Sequence, residues 1–406
     1  MYKKLSIKEY LRSYKSNIFY LILSTPLIIF IIVIYPFIKI KIGELQSRKV
    51  GSFATPAEIY FNEIKLKIRK KKRNEFHLFF LNNKVSNSYI AEKHSKKLTI
   101  LPRLILEPIF FFFSSSRFAK LFLLDLIMID KKNETKITKF PIQADINKVL
   151  TNTKSSIKFT DQEIFEGNKK LHNLGYKPNQ VMVCFANRDS SNFNEKIISL
   201  RNADISTYKS AVEYLADKNI FNVRMGRKNS HNLNFSKKNI VDYVFSNLKS
   251  DFMDLFIFSK CAFLISTPHG ILELAALLRK KRLVINYHSP DKFHWLADDF
   301  TPIVLPKKFK CIKNNQYISY REFYEKKLHL YNNNELNSHG YEVVDNSEDE
   351  ILEAVKEMYE SYNNNFKTDL SKQEKFWNNY EKRFNWRPKK MMISNNFFIN
   401  NYDLFI

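Results

Sequence analysis

The chain has 406 residues, 44% of them hydrophobic, a length that suits two domains with separate cores rather than one fold unit. Its 66 Lys and Arg against 41 Asp and Glu leave a formal net charge of +25, which fits a nucleic-acid binder, a membrane-surface protein or an enzyme for anionic substrates and does not choose among them. The three cysteines, Cys184, Cys261 and Cys311, are odd in number and share no C-x-x-C spacing, which argues against a disulfide framework and for a reducing compartment.

Residues 1–16 are a basic N-terminal segment. "NIFYLILSTPLIIFIIVIYPFI", residues 17–38, follows with 22 positions and no charge. At about 1.5 Å rise per residue it is long enough for the roughly 30 Å hydrocarbon core, and without a small-residue cleavage site it reads as a retained membrane anchor. Lys3, Lys4, Lys8, Arg12 and Lys15 precede it while Lys39, Lys41, Arg48 and Lys49 follow, so flanking charge leaves the orientation open. Pro26 and Pro36 leave open whether it spans the bilayer or only enters it. "KIRKKKR", residues 67–73, adds six cations in seven residues, a run attracted to anionic lipid, and places the large C-terminal part on the cytoplasmic face.

Thr55-Pro56-Ala57-Glu58 fits a helix start, with Thr55 as N-cap, Pro56 in the first position and Glu58 closing a capping box, and predicts a helix from about 56 to 73. "EFHLFFL" (75–81) and "KLTILP" (97–102) are strand candidates, and the aromatic run "PIFFFFSSSRFAKLFLLDLIMID" (108–130) reads as a core helix. From residue 180 the pattern is regular. "QVMVCFANRDS" (180–190), "IFNVRMG" (220–226), "CAFLIS" (261–266), "RLVINY" (282–287) and "TPIVLP" (301–306) are strands. "ADISTYKSAVEYLADKN" (203–219) and "KSDFMDLFIFSK" (249–260) are helices, the second capped by Ser250. Strands separated by helices of this length indicate βαβ units and a parallel sheet. The tail beyond about 362 is rich in Asn and Lys.

In an open α/β sheet, ligands bind beyond the carboxyl ends of the strands. Ser266-Thr267-Pro268-His269-Gly270 lies at such an end: Ser266 and Thr267 offer hydroxyls, Gly270 permits close backbone approach, and the helix that follows turns free N–H groups toward an anion. A plain helix cap is the competing reading of this turn alone. Arg188 and Asp189 end a second strand, Arg224 and Gly226 a third, and Arg201 and Asp204 precede a helix starting at the same edge. Three guanidinium groups on one rim suit a diphosphate, Glu273 suits ribose hydroxyls, and His269 a phosphate or sugar contact.

"RNADISTYKSAVEYL", "VRMG", "VDYVFSNLKSDFMDLFIFSKCAFLISTPHG", "ISYREFYEKK" and "DEILEAVKEM" together resemble, over about residues 178–360, a family of bacterial glycosyltransferases found among surface-polysaccharide genes. The resemblance implies an α/β fold of GT-B type, two Rossmann-like domains facing a cleft, here with an N-terminal membrane helix. Its domains would be the anchor at 17–38, an acceptor domain at 39–176, a nucleotide-sugar domain at 177–370 and a tail at 371–406. It implies sugar transfer from a nucleotide-sugar co-substrate to a glycan or lipid-linked acceptor, with no metal, no further cofactor and no nucleic-acid partner, at the bacterial inner membrane. Carried over residue by residue, it makes Arg188, Asp189, Arg201, Asp204, Arg224, Gly226, Ser266, Gly270 and Glu273 donor-site candidates. Where the family carries Gly-His near the first domain helix, this chain has Gly51-Ser52.

Displacement of a nucleoside diphosphate needs positive charge at the leaving group, supplied by Arg224 and its neighbours, and an inverting reaction needs a base, for which Glu58 and Asp189 are the candidates. A nucleotide-sugar epimerase of the same fold is a rival reading, opposed by the membrane segment. A non-catalytic basic binding protein is another.

Overall fold

The computed structural model describes residues 18–114, 116–124, 145, 147–189, 199–227, 235–296, 299–364 and 371–406. The chain divides into two units, Met1–Ile157 and Lys158–Ile406.

In the first unit, helix α1 (Ile18–Ile34) leads into strand β1 (Lys39–Leu45), helix α2 (Val50–Lys65), strands β2 (Glu75–Leu81) and β3 (Thr99–Ile100), and helix α3 (Arg103–Ser114). The strands form a parallel sheet in the order β1-β2-β3, with β1 and β2 in register over all seven residues, from Lys39 opposite Glu75 to Leu45 opposite Leu81. Ile42 also makes a parallel bridge to Leu123 on the other side of β1. The unit is therefore α/β, and its core joins Ile42 and Phe80 to Leu106, Ile109, Phe110 and Phe113 of α3. The aromatic run supplies Ile109, Phe110, Phe113 and Phe122 to this core, but not as one helix: α3 ends at Ser114 and Ala119–Phe122 forms a separate short helix, while residues 125–130 lie outside the described residues.

The expected membrane helix takes a different form. α1 has 17 residues, about 25 Å of helix, and no helix among the described residues is long and apolar enough to cross a membrane. Pro36 disfavours helical geometry at Tyr35 and ends the helix before residue 38. Ser24, Ile28 and Ile31, spaced so as to share one helical face, are buried, and the two isoleucines enter the core beside α3.

Helix α2 likewise departs from expectation. It starts at Val50, so Thr55 and Pro56 lie inside it and Glu58 closes no capping box. It ends at Lys65, because crowding six cations into about two more helical turns is opposed by like-charge repulsion. The basic run becomes a turn, with Lys67 at φ 58° and the Glu63 carboxylate accepting from Arg69 Nε at 3.0 Å.

The second unit holds a seven-stranded sheet, wholly parallel. Its strands are β4 (Met182–Ala186), β5 (Phe221–Arg224), β6 (Ile240–Val241), β7 (Phe263–Ser266), β8 (Lys281–Tyr287), β9 (Ile303–Pro306) and, past the small antiparallel sheet of β10 (Lys308–Cys311), β11 (Gln316–Tyr317) and β12 (Tyr341–Val344), the tail strand β13 (Met392–Ile393). The order across the sheet is β6-β5-β4-β7-β8-β9-β13. Counted from β4, the first six strands run 3-2-1-4-5-6, the doubly wound dinucleotide-binding order. Strands β4, β5, β7 and β9 are buried at every position, as apolar runs in a sheet covered on both faces must be.

Helix α4 (Asp161–Asn173) carries a complete capping box from Thr160 and Glu163, and helix α5 (Lys209–Asp217) returns the chain from β4 to β5. Helix α6 (Asp251–Lys260) is capped as expected, the Ser250 hydroxyl accepting from Met253 N–H, and α7 (Ile271–Leu277) follows β7. Helix α8 (Glu348–Tyr362) packs on α5, β8 and β9. The Asn- and Lys-rich tail is part of this fold. Buried Gln373 donates to the Ile393 carbonyl at 2.6 Å and accepts from its N–H at 3.0 Å and from Trp377 Nε1 at 3.1 Å, which fixes the seventh strand.

Gly167, midway along α4, faces the Phe256 ring of α6 so closely that an added Cβ would stand 2.4 Å from it. Alanine normally strengthens a helix by about 1 kcal/mol over glycine, whereas overpacking costs about 1–3 kcal/mol. Phe256 is itself held by Phe159 and Phe252, so the clash wins. Gly167→Ala should lower stability in urea titration despite its better helix propensity.

Candidate functional site

Strands β4 and β7 are neighbours whose chain connections leave in opposite directions along the sheet, which makes their carboxyl ends the topological switch point. Two of the loops singled out in the sequence meet here. Ala186 pairs with Ser266 in the last register of the two strands, and just beyond them Arg188 N–H donates to Thr267 Oγ1 at 2.9 Å. After residues 190–198, which lie outside the described residues, the chain returns to the same edge: Ala203 N–H donates to the Arg188 carbonyl at 3.0 Å, Asn187 Nδ2 donates to the Ala203 carbonyl at 3.0 Å, and Arg188 Nη1 donates to Asn202 Oδ1. Arg188 is therefore buried and oriented, while Arg201 stands exposed beside it.

His269 sits in the turn with Nδ1 2.9 Å from the Thr267 carbonyl, a geometry in which Nδ1 carries the proton and Nε2 keeps its lone pair. Burial, reinforced by the positive charges of Arg188 and Arg201, holds its pKa down at about 4, with the Thr267 hydrogen bond and the nearby Asp189 charge pulling the other way.

A second histidine, which the sequence did not signal, completes the edge. His288 follows β8, and burial together with Arg201, Lys307, Lys292 and Arg188 drives its pKa well below the ordinary value. Its Nδ1 is buried without a hydrogen-bond partner among the described residues. A register shift between Val284 and Tyr287 directs the chain here, at Asn286, whose φ of 52° is a left-handed value that asparagine tolerates better than most residues. Asn286 N–H donates to Asn346 Oδ1 and Asn346 N–H to Asn286 Oδ1, each at 2.7 Å, locking the bulge to the residue before the cap of α8. Lys307 Nζ reaches the Asn202 carbonyl at 2.7 Å and Asp345 at 2.6 Å, tying β9 to the Arg201 loop. The result is an edge with three cationic side chains, Arg188, Arg201 and Lys307, and two imidazoles kept neutral chiefly by burial and further by those charges.

Other candidate residues are used differently. Arg224 ends β5 but is fully buried and pairs with Asp242 at 2.8 Å, bridging the ends of β5 and β6 instead of facing solvent. Asp204 caps the short turn Ile205–Tyr208, accepting from Ser206 N–H at 2.9 Å. Gly226 has φ 138°, which makes it a conformational glycine, whereas Gly270 at φ −57° needs no glycine for its backbone alone. Ser266 is fully buried, its hydroxyl directed to the Thr267 carbonyl at 2.9 Å. Glu273 lies 4.0 Å from buried Arg282, whose guanidinium also donates to the Leu272 carbonyl and to Thr301 Oγ1, each at 2.9 Å. Asp189 remains at the switch point, half-buried. In the first unit, Glu58 is fully buried, accepting from Ser156 N–H at 2.8 Å, from the Ser156 hydroxyl and from Asn62 Nδ2 at 3.1 Å; it anchors a loop and is not placed to take a proton from a substrate.

No family model matches the chain, and no curated protein does. Among solved structures it is similar to the family 9 glycosyl transferase from Veillonella parvula, at 10% identity and TM-score 0.42 over 72% of this chain and 90% of that one. It is also similar to the ADP-heptose lipopolysaccharide heptosyltransferase II of E. coli, at 11% identity and TM-score 0.37 over 60% and 84% of the two chains. A third likeness, at 11% identity and TM-score 0.34 over 80% and 97%, is to a structure from Listeria monocytogenes described as a candidate UDP-N-acetylglucosamine 2-epimerase. At these identities and scores none of them assigns a substrate or a reaction to this chain.

Removing one member of a buried ion pair strands the other and costs about 3–5 kcal/mol. Arg224→Ala should therefore unfold at markedly lower urea concentration than the parent with no ligand present. The histidines give a pH test. His269, and His94 in the first unit, bind a proton below about 6.5 when unfolded but only near pH 4 when folded. Protonation in that window favours the unfolded chain, so stability is full above about pH 6.5 and falls as pH drops toward 4. Thermal melts across this range should show the loss, and His269→Gln should flatten part of it.

Proposed function

We propose that the second unit holds the diphosphate of a nucleotide sugar at the β4–β7 switch point and that the chain is a glycosyltransferase acting on a hydroxyl of a surface-polysaccharide or lipid-linked glycan acceptor. The observation that carries this reading is the cationic edge formed by Arg188, Arg201 and Lys307 at the switch point of a doubly wound sheet, where such folds take their ligands. In the transfer, the acceptor oxygen bonds to the anomeric carbon while the bond from that carbon to the diphosphate oxygen breaks. Charge then builds on the departing diphosphate, and fixed guanidinium and ammonium groups stabilise it most in the transition state. His288, kept neutral, has one N–H to donate to a ligand, whereas His269 spends its N–H on the Thr267 carbonyl and helps to hold the turn in place. Asp189, next to Arg188, is our candidate for taking the acceptor proton in an inverting transfer.

Arg201 is exposed, so its truncation leaves the fold alone and reports on the ligand. A charge-assisted hydrogen bond contributes about 1.5–3 kcal/mol, so Arg201→Ala should weaken nucleoside-diphosphate binding by roughly 10- to 150-fold in isothermal calorimetry. Release of nucleoside diphosphate from a panel of nucleotide sugars, in the presence of a lipid-linked acceptor, should fall at least as far. Unchanged binding of every diphosphate by Arg201→Ala would remove the switch point from consideration as the donor site.

A further inference from the structure

Helix α1 is apolar on all sides yet buries only one of them. Ile28 and Ile31 enter the core of the first unit, while Ile22, Leu23, Ile29, Phe30 and Val33 remain exposed, Val33 at 66%. The hydroxyls of exposed Thr25 and buried Ser24 are turned back onto the helix. Thr25 Oγ1 donates to the Leu21 carbonyl at 3.0 Å and Ser24 Oγ to the Tyr20 carbonyl at 2.6 Å, so both hydroxyls are satisfied within the helix. Helix α3, packed alongside, adds exposed Leu104, Ile105 and Phe112. Contiguous exposed apolar surface of this kind marks an interaction site.

The charge at the end of α1 says what kind. Phe37 is 77% exposed, and its carbonyl accepts from Asn74 Nδ2 at 2.9 Å, while Lys39 N–H donates to the Asn74 carbonyl at 2.9 Å. Those two bonds fasten the basic turn to the end of the apolar helix, so Lys70, Lys71, Lys72 and Arg73, all exposed, rim the face that Phe37 closes. Arg117 and Lys120, exposed beyond α3, add cations past its far end. An apolar face with a cationic rim complements a bilayer interface bearing anionic headgroups, where apolar side chains enter the acyl boundary and lysines stay among the phosphates. A second copy of the chain would instead set like charges against each other around the rim.

We infer that the first unit docks in the plane of an anionic lipid bilayer through the outer faces of α1 and α3, lying on the membrane without crossing it. This inference rests on the first unit alone and stands or falls independently of the donor site.

The test is flotation of the full chain with vesicles of phosphatidylcholine with or without phosphatidylglycerol. The parent should float with the anionic vesicles, and less so as salt is raised. Each surface lysine contributes roughly fivefold, so Lys70→Gln, Lys71→Gln and Lys72→Gln combined should weaken binding on the order of 100-fold. Val33→Asp should abolish flotation with an unchanged melting temperature, since that side chain packs against little in the folded unit. Membrane-bound protein should be released by alkaline carbonate. Three results would each overturn the inference: no flotation with either vesicle, retention through carbonate as for a spanning segment, or a lipid-free dimer in light scattering that Val33→Asp dissolves.

Discussion

A strand in a parallel sheet cannot pair again until its chain has crossed back over one face, and where two neighbouring strands send their crossings opposite ways, no connection covers their carboxyl ends. In this protein those strands are β4 and β7. The constraint accounts for much of the second unit. The central strands are apolar throughout because helices cover both faces, and polar chemistry is pushed to the strand ends, where Arg188 N–H and the Thr267 hydroxyl join the two loops. Two further groups are tied to that junction, Asn202 through the Arg188 guanidinium and Lys307 through the Asn202 carbonyl.

Positive charge concentrated at one rim has to be tolerated before a ligand arrives. The nearby imidazoles are uncharged, and Lys307 pairs with the Asp345 carboxylate at 2.6 Å. Burial lowers the Lys307 pKa and the Asp345 charge works against that fall. Under the proposed function, a diphosphate would meet Arg188 and Lys307 already oriented by hydrogen bonds to Asn202, which lowers the ordering cost of binding. Arg224 belongs to a different task. Fully enclosed and paired with Asp242, it joins the ends of β5 and β6 and so supports the edge from below.

The two units place their apolar surface differently. In the second the sheet strands are enclosed, down to the tail strand fixed by Gln373, and exposed residues such as Phe165, Leu330 and Ile399 lie outside the sheet. In the first, α1 encloses one face and leaves the others exposed beside a cationic turn, so the helix that resembles a membrane span by hydropathy is instead a component of the unit with a large apolar exterior.

Local sequence was enough to reveal the α/β class, strands β4, β5, β7, β8 and β9, the Ser250 cap and the turn at Ser266–Gly270, because each depends on the residues within it: apolar runs, a capping hydroxyl, a polar break at a strand end. It also located Arg188 and Thr267 on loops that would meet, since sheet order follows from the alternation of strands and helices. It did not show that Arg224 and Glu58 would be buried against partners. A strand-end arginine and a glutamate near a helix start look the same whether they face a ligand or a buried partner, and the partners here, Asp242 and Ser156, are 18 and 98 residues away. His288, Asn202 and Lys307 gave no local signal, for they come together only when β8 and β9 take their places beside β7 and the bulge at Asn286 turns the chain toward the edge. The extent of α1 was likewise settled in three dimensions. Composition made the segment apolar, but Pro36 and the packing of Ile28 and Ile31 beside α3 determined where the helix stops and which of its faces stays exposed.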